Sequence, residues 1–206
     1  DALLGDKLTA FAPNTTGVPF RSVRRKEDSS HQVFKQLFDV AQLFDVSSDF
    51  AVFRDTFRNV VSREGGYKGV SDIPDSVLRD IIRTAFDITT FDIRRKKLDF
   101  EYENLIRGGI DKMSGDLING SRFGVLEAKT AASKAAYLAA LLLAEGSEVI
   151  RFADDQKTIS TLVGTRLSGP LLVLDKLKKA NAIECYFYWW QTVKILPDIV
   201  RIANPS

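Results

Sequence analysis

Apolar residues recur at every third or fourth position along most of this chain, the spacing that gathers them on one side of an α-helix. Val33, Phe34, Leu37, Phe38, Ala41 and Phe44 form the first strong face, and Ser29 or Ser30 stands ready to cap its free N–H groups. Phe50, Phe53, Phe57, Val60 and Val61 form the next, after Ser47 or Ser48, with Gly65-Gly66 as its stop. The two read as an antiparallel hairpin with a phenylalanine-rich contact. A third helix runs from Pro74 to about Ile88 and a fourth from Phe91 to Ile106, ended by Gly108-Gly109. Ile110 to Ile118 then makes a short helix before the Asn119-Gly120 turn.

The stretch from Ser121 to Gly146 differs in kind. Ala128, Ala131, Ala132, Ala135, Ala136, Ala139 and Ala140 stack on one side of a helix, where methyl groups let neighbouring backbones come close. It reads as the central post of a bundle. Beyond Gly146, a helix of about four turns is expected up to Gly164, from Val149, Ile150, Phe152, Ala153, Ile159, Leu162 and Val163. Another starts at Ser168-Gly169-Pro170 and ends in the basic turn Lys176 to Lys179. Asn181 with Glu184 resembles a capping box for the last long helix, Ile183 to Leu196, which Pro197 closes; a short turn runs on to Ile202.

Residues 1–28 carry Pro13, Gly17 and Pro19, and that density disfavours a long helix. They read as an extended N-terminal arm that either lies on a bundle formed by residues 29–206 or reaches to a partner, with Leu3, Leu4, Leu8, Phe11 and Phe20 favouring docking over free disorder. The fold class is therefore all-α: one domain of about seven to nine helices around the alanine-rich helix.

Charge narrows the picture only locally. With 29 basic and 27 acidic residues the net charge is +2, so any cationic surface must be a cluster. Two clusters qualify, Arg21, Arg24, Arg25 and Lys26 in the arm and Arg94, Arg95, Lys96 and Lys97 further on, each partly offset by flanking carboxylates. Arg166, in the turn Gly164 to Pro170, is a third anion candidate, although an interhelical turn explains that sequence as well.

Catalytic constellations are scarce. One cysteine, Cys185, and one histidine, His31, make neither a disulfide nor a conventional zinc site. His31 reads as a surface or capping residue, and Cys185 as a buried thiol. Asp154-Asp155 point about 100° apart on a helix, poor geometry for joint metal ligation. No catalytic residue, metal or cofactor is assigned. Two sequons stand at Asn14 and Asn119, where about one is expected by chance from six asparagines, so they do not argue for glycosylation.

Cysteine usage favours a reducing intracellular compartment, the cytosol or an organelle interior after loss of a targeting segment. The longest apolar stretch, about ten residues, is too short to span a bilayer, which leaves peripheral membrane contact open. The run Tyr186-Phe187-Tyr188-Trp189-Trp190 covers every side of a helix. Phe11, Phe20, Tyr186, Tyr188 and Trp189 are therefore the expected partner interface. The function these features favour is a non-enzymatic structural or assembly subunit of a larger complex. Two other classes stay open: a nucleic-acid-coating protein, and a small-molecule or cofactor module with a pocket lined by Phe34, Phe57, Trp189 or Trp190.

Overall fold

The computed structural model describes residues 1–22, 27–68, 73–94, 97–117, 122–179 and 181–203, apart from the side chains at 65–68, 73, 156 and 203. The described residues form ten α-helices and no strand, with one isolated bridge between Arg21 and Asp28. They are α1 (Ala2–Ala10), α2 (Ser30–Val46), α3 (Phe50–Lys68), α4 (Ile73–Thr90), α5 (Phe100–Asp116), α6 (Val125–Leu143), α7 (Gln156–Leu162), α8 (Lys176–Lys179), α9 (Ile183–Ile195) and α10 (Val200–Ala203). Eight of the ten are seven residues or longer. The chain folds as an all-α helical bundle.

The alanine-rich helix lies where its pattern puts it. α6 packs against α2, α4 and α9, and every residue from Ala131 to Leu142 is buried. Glu127 accepts a hydrogen bond from the Gly124 N–H at 2.9 Å to start the helix. At its end Gly146 N–H reaches Leu141 O at 2.8 Å and Glu145 N–H reaches Leu142 O at 3.3 Å. This paired closure puts the left-handed residue at Glu145, φ 54°, one position before the expected Gly146.

The N-terminal segment is not an extended arm. Its prolines and Gly17 come after residue 12, and Gly5 alone does not stop Ala2–Ala10 from coiling into α1, with Leu4, Leu8 and Phe11 buried in the common core. α1 lies on α2 and α3. At Gly5 the approach is close enough that a Cβ would sit 2.8 Å from both Phe53 O and Phe57 N. The turns that follow are fastened to α4 by Asp80, a buried carboxylate that accepts from Asn14 N at 2.8 Å, Asn14 Nδ2 at 2.6 Å and Thr15 Oγ1 at 3.0 Å. The other sequon, at Asn119, lies outside the described residues.

Several helix boundaries differ from those expected, each for a local reason. α2 begins at Ser30 with Asp28 accepting from its N–H at 2.8 Å, so neither serine supplies the cap. Asp49 caps α3 in place of Ser47 or Ser48, accepting from Ala51 N at 3.0 Å and Val52 N at 3.1 Å. Gly65 and Gly66 lie inside α3. The chain turns at Phe91, where Arg94 folds back on Thr90 and Asp87, and α5 starts only at Phe100 under an Asp99 cap.

α5 then passes through Gly108-Gly109, because Gly109 faces α2 so closely that a Cβ would sit 2.8 Å from Phe34 Cε2 and 2.9 Å from Ser30 Cβ. The missing side chain joins two helices instead of breaking one. The helix expected after Gly146 is a strap: residues 147–151, a 3-10 turn at Phe152–Asp154, then α7. Here backbone N–H groups are satisfied by phenol oxygens, Ile150 by Tyr137 at 2.9 Å and Phe152 by Tyr188 at 3.1 Å. Gly169–Asp175 is 3-10 rather than α. Asn181, φ 54°, ends α8 through Ala182 N–H to Leu177 O and does not cap α9.

Candidate functional site

A cleft of about 250 Å³ opens between α2, the N-terminal half of α6 and the first turn of α9. The fold makes it by keeping the α6 side short. Ala41 from α2 and Ala131 from α6 supply the floor with Phe38 and Phe123, and the two rings meet edge to face at 5.6 Å. Gln42 and Asp45 on α2, Arg122, Leu126 and Glu127 at the start of α6, and Glu184 on α9 form the mouth.

Lys134 is the charged centre. Its side chain, one turn on from Ala131, is 8% exposed, and its Nζ donates to both Asp45 oxygens at 2.8 and 2.9 Å and lies 3.1 Å from a Glu184 oxygen. Phe44 and Tyr188 rings flank the ammonium, their centroids 5.7 and 5.8 Å away. Three acceptors match the three N–H donors of the group, so its charge is fixed in place. The carboxylates are less enclosed: 50% of the Asp45 side chain and 37% of the Glu184 side chain remain exposed. Both can take a donor from outside.

A second buried lysine, Lys129, sits five positions earlier and about 140° around α6. It reaches Asp92 at 2.7 Å over the Phe91 ring. Neither lysine stood out in the sequence, where each looks like an ordinary helix-surface charge. Lys129 falls within the alanine stripe, which marks it as buried, whereas Lys134 lies off that stripe and its burial depends on α2 and α9.

The expected partner interface is enclosed in the fold. Phe11, Phe20, Tyr186, Tyr188 and Trp189 are all buried. Phe20 packs edge to face on Tyr102 at 5.2 Å, and Trp189 Nε1 donates to Thr89 Oγ1 at 3.1 Å. Tyr186 meets Thr165 at 3.1 Å through its hydroxyl. α9 can be aromatic all round because α6, the strap and the 3-10 turn Gly169–Asp175 cover it from several sides. The residues proposed as a pocket lining do not converge: Phe34, Phe57 and Trp189 are buried, Trp190 lies under the Lys194 ammonium, and none lines the cleft.

Of the cationic candidates, Arg21 is paired with Glu101, and Arg94 with Asp87 at 2.8 Å over the Phe86 ring. Lys97 and Arg166 are exposed. Arg24, Arg25, Lys26, Arg95 and Lys96 lie outside the described residues. The turn bearing Arg166 already has its own anion, since Asp175 accepts from Leu167 N at 3.2 Å, and Lys178 closes on Thr165 O. It is an interhelical turn.

His31 contacts Asp116 at 2.8 Å at the surface end of α2. Cys185 is fully buried and donates to Lys129 O at 3.3 Å; burial pushes its thiol up to about 12, so it stays protonated at neutral pH. Burial likewise pushes Tyr186 up to about 12 and raises Tyr137 and Tyr188. Asp87 is raised by burial, with Arg94 opposing. Among the described residues no group of three or more His, Cys, Asp or Glu is arranged to hold a metal ion, and no helix is long and apolar enough to cross a membrane.

No family model, curated protein or solved structure matches the chain. The functional reading therefore rests on the cleft and its surroundings. At about 250 Å³ it falls below the ~300–1,000 Å³ of pockets that enclose a cofactor or drug-sized ligand. It is the size of one or two amino-acid side chains.

Proposed function

We propose that this protein is a non-enzymatic assembly subunit that works by binding other protein chains, with the cleft between α2, α6 and α9 as a contact point. The observation that carries the reading is a socket of side-chain size with an apolar floor, bordered by Leu126, 42% exposed. Large apolar side chains left at the lip of a concavity are what a partner's side chain covers on docking. The enclosed aromatics of α9 leave this role to the cleft rim. Pairing of Arg21 and Arg94 with carboxylates weighs against the nucleic-acid-coating reading, since those charges are already neutralised within the chain. The same reading keeps the protein in a reducing intracellular compartment, where its single buried thiol stays free.

Site-specific photo-crosslinking in the native cell tests this. A crosslinker at Leu126 should give a discrete adduct with another protein, and one at Arg83 of α4, outside the cleft, should not. Absence of any adduct at Leu126 would overturn the reading. Salt-sensitive retention on single-stranded RNA or DNA at low salt, with no protein adduct, would move the assignment to nucleic acid.

A further inference from the structure

We infer that the cleft takes a basic-aliphatic segment of a partner protein, a Lys or Arg side chain lying beside a Leu, Ile or Met; this rests on the protein-binding reading above. The two ends of the cleft differ. At one end Phe38, Phe123, Ala131 and Leu126 present only carbon, which suits an unbranched or branched aliphatic side chain and offers no hydrogen bond to a polar one.

At the other end Asp45 and Glu184 bring two negative charges to one positive charge, that of Lys134. Lys134 has spent its donors on the inner faces of those carboxylates and is itself 8% exposed, so it presents no cation to the mouth. The outer faces carry the surplus negative charge into solvent. An arriving ammonium or guanidinium meets acceptors already held in position, which lowers the ordering cost of the contact.

The remaining ionic groups at the mouth do not cancel this. Glu127 is turned to the Gly124 N–H, and Arg122 stands at the opposite, N-terminal edge of α6 from Lys134. An acidic segment would have to approach Asp45 and Glu184 directly, and like charges at such an edge are repelled.

A random heptapeptide display library selected on the full-length protein tests the inference. The counter-target is the Gln42→Lys, Leu126→Lys double variant, two exposed positions whose substitution leaves the core untouched. Its melting temperature, matched to the parent, establishes that it is folded. Retained sequences should place Lys or Arg within two positions of Leu, Ile or Met. The synthesised peptides should lose about tenfold or more in affinity on the double variant, and should weaken as salt rises.

Enrichment of acidic or uncharged sequences, equal affinity for the double variant, or no enrichment would each overturn it. So would a homodimer that the double variant dissociates, because the occupant would then be a second copy of this chain. If the crosslink at Leu126 forms while the library selects acidic sequences, protein binding stands and only the partner chemistry falls.

Discussion

The two halves of α6 are differently built. From Ala135 to Leu142 the helix carries apolar side chains and the Tyr137 ring, all of them buried. From Ala128 to Lys134 the same alanine spacing is interrupted by Lys129 and Lys134, whose ammonium groups reach carboxylates at the rim, Asp92 on one side and Asp45 with Glu184 on the other. Those carboxylates stay between 30% and 50% exposed, so the lysines carry their charge along buried stems to the edge of water. The apolar half fixes the bundle; the ionic half leaves an opening. One helix can therefore hold both the centre of a fold and the wall of a site.

The sharpest way to break that contrast is to remove packing from the apolar half. Leu138→Ala, at a side chain 1% exposed, should cost about 2–5 kcal/mol in guanidinium unfolding. A loss below about 1 kcal/mol would mean that this half is not close-packed. In the ionic half, Lys134→Met should cost less, about 1–3 kcal/mol, because the abandoned carboxylates can turn to solvent. Adding Asp45→Asn and Glu184→Gln should recover most of it, since a neutral trio leaves no unpaired charge. A triple variant as unstable as the single one would show that the charges themselves do not matter.

Alkali sharpens the contrast from another side. Cys185 and Tyr186, with ordinary values of 9.0 and 10.0, are both held up to about 12 in the folded chain. Above about pH 9 the unfolded chain therefore releases protons that the folded chain keeps, and stability falls with rising pH until those groups ionise in the fold. The guanidinium midpoint should drop steadily between about pH 8 and about pH 11, while a thiol reagent modifies Cys185 only as the chain unfolds. A midpoint flat over that range would contradict the buried setting. The smallest effect belongs at the entry turn of α6: Val125→Ser, at a side chain 37% exposed, should stay within about 0.5 kcal/mol of the parent in the same denaturation.

The helical period was legible wherever one face was continuous. α2, α4 and α6 begin and end within a few residues of the positions their apolar spacing implies. Punctuation by glycine, proline and serine was a poorer guide. Gly109 and Gly5 are small because another helix presses on them, a fact about distant partners that no local pattern contains. Pro13 and Pro19 suggested an extended segment although nine residues ahead of them were free to coil. The aromatic run was read as surplus because its covers, the strap and the 3-10 turn before α8, are irregular segments with no periodic signature. Asp45, Lys134 and Glu184 come from three helices, and their meeting depends on how those helices cross.

Arg151 has a bearing on the order in which the chain can mature. Its guanidinium donates to Phe44 O and Ser47 O, residues 107 and 104 positions earlier, and so closes the far end of α2. A nascent chain elongating at roughly 5–20 residues per second must wait about 5–20 s after making Ser47 before that arginine exists. Through that interval the corner between α2 and α3 lacks its arginine clasp, and only local groups such as the Ser47 hydroxyl and water serve those carbonyls.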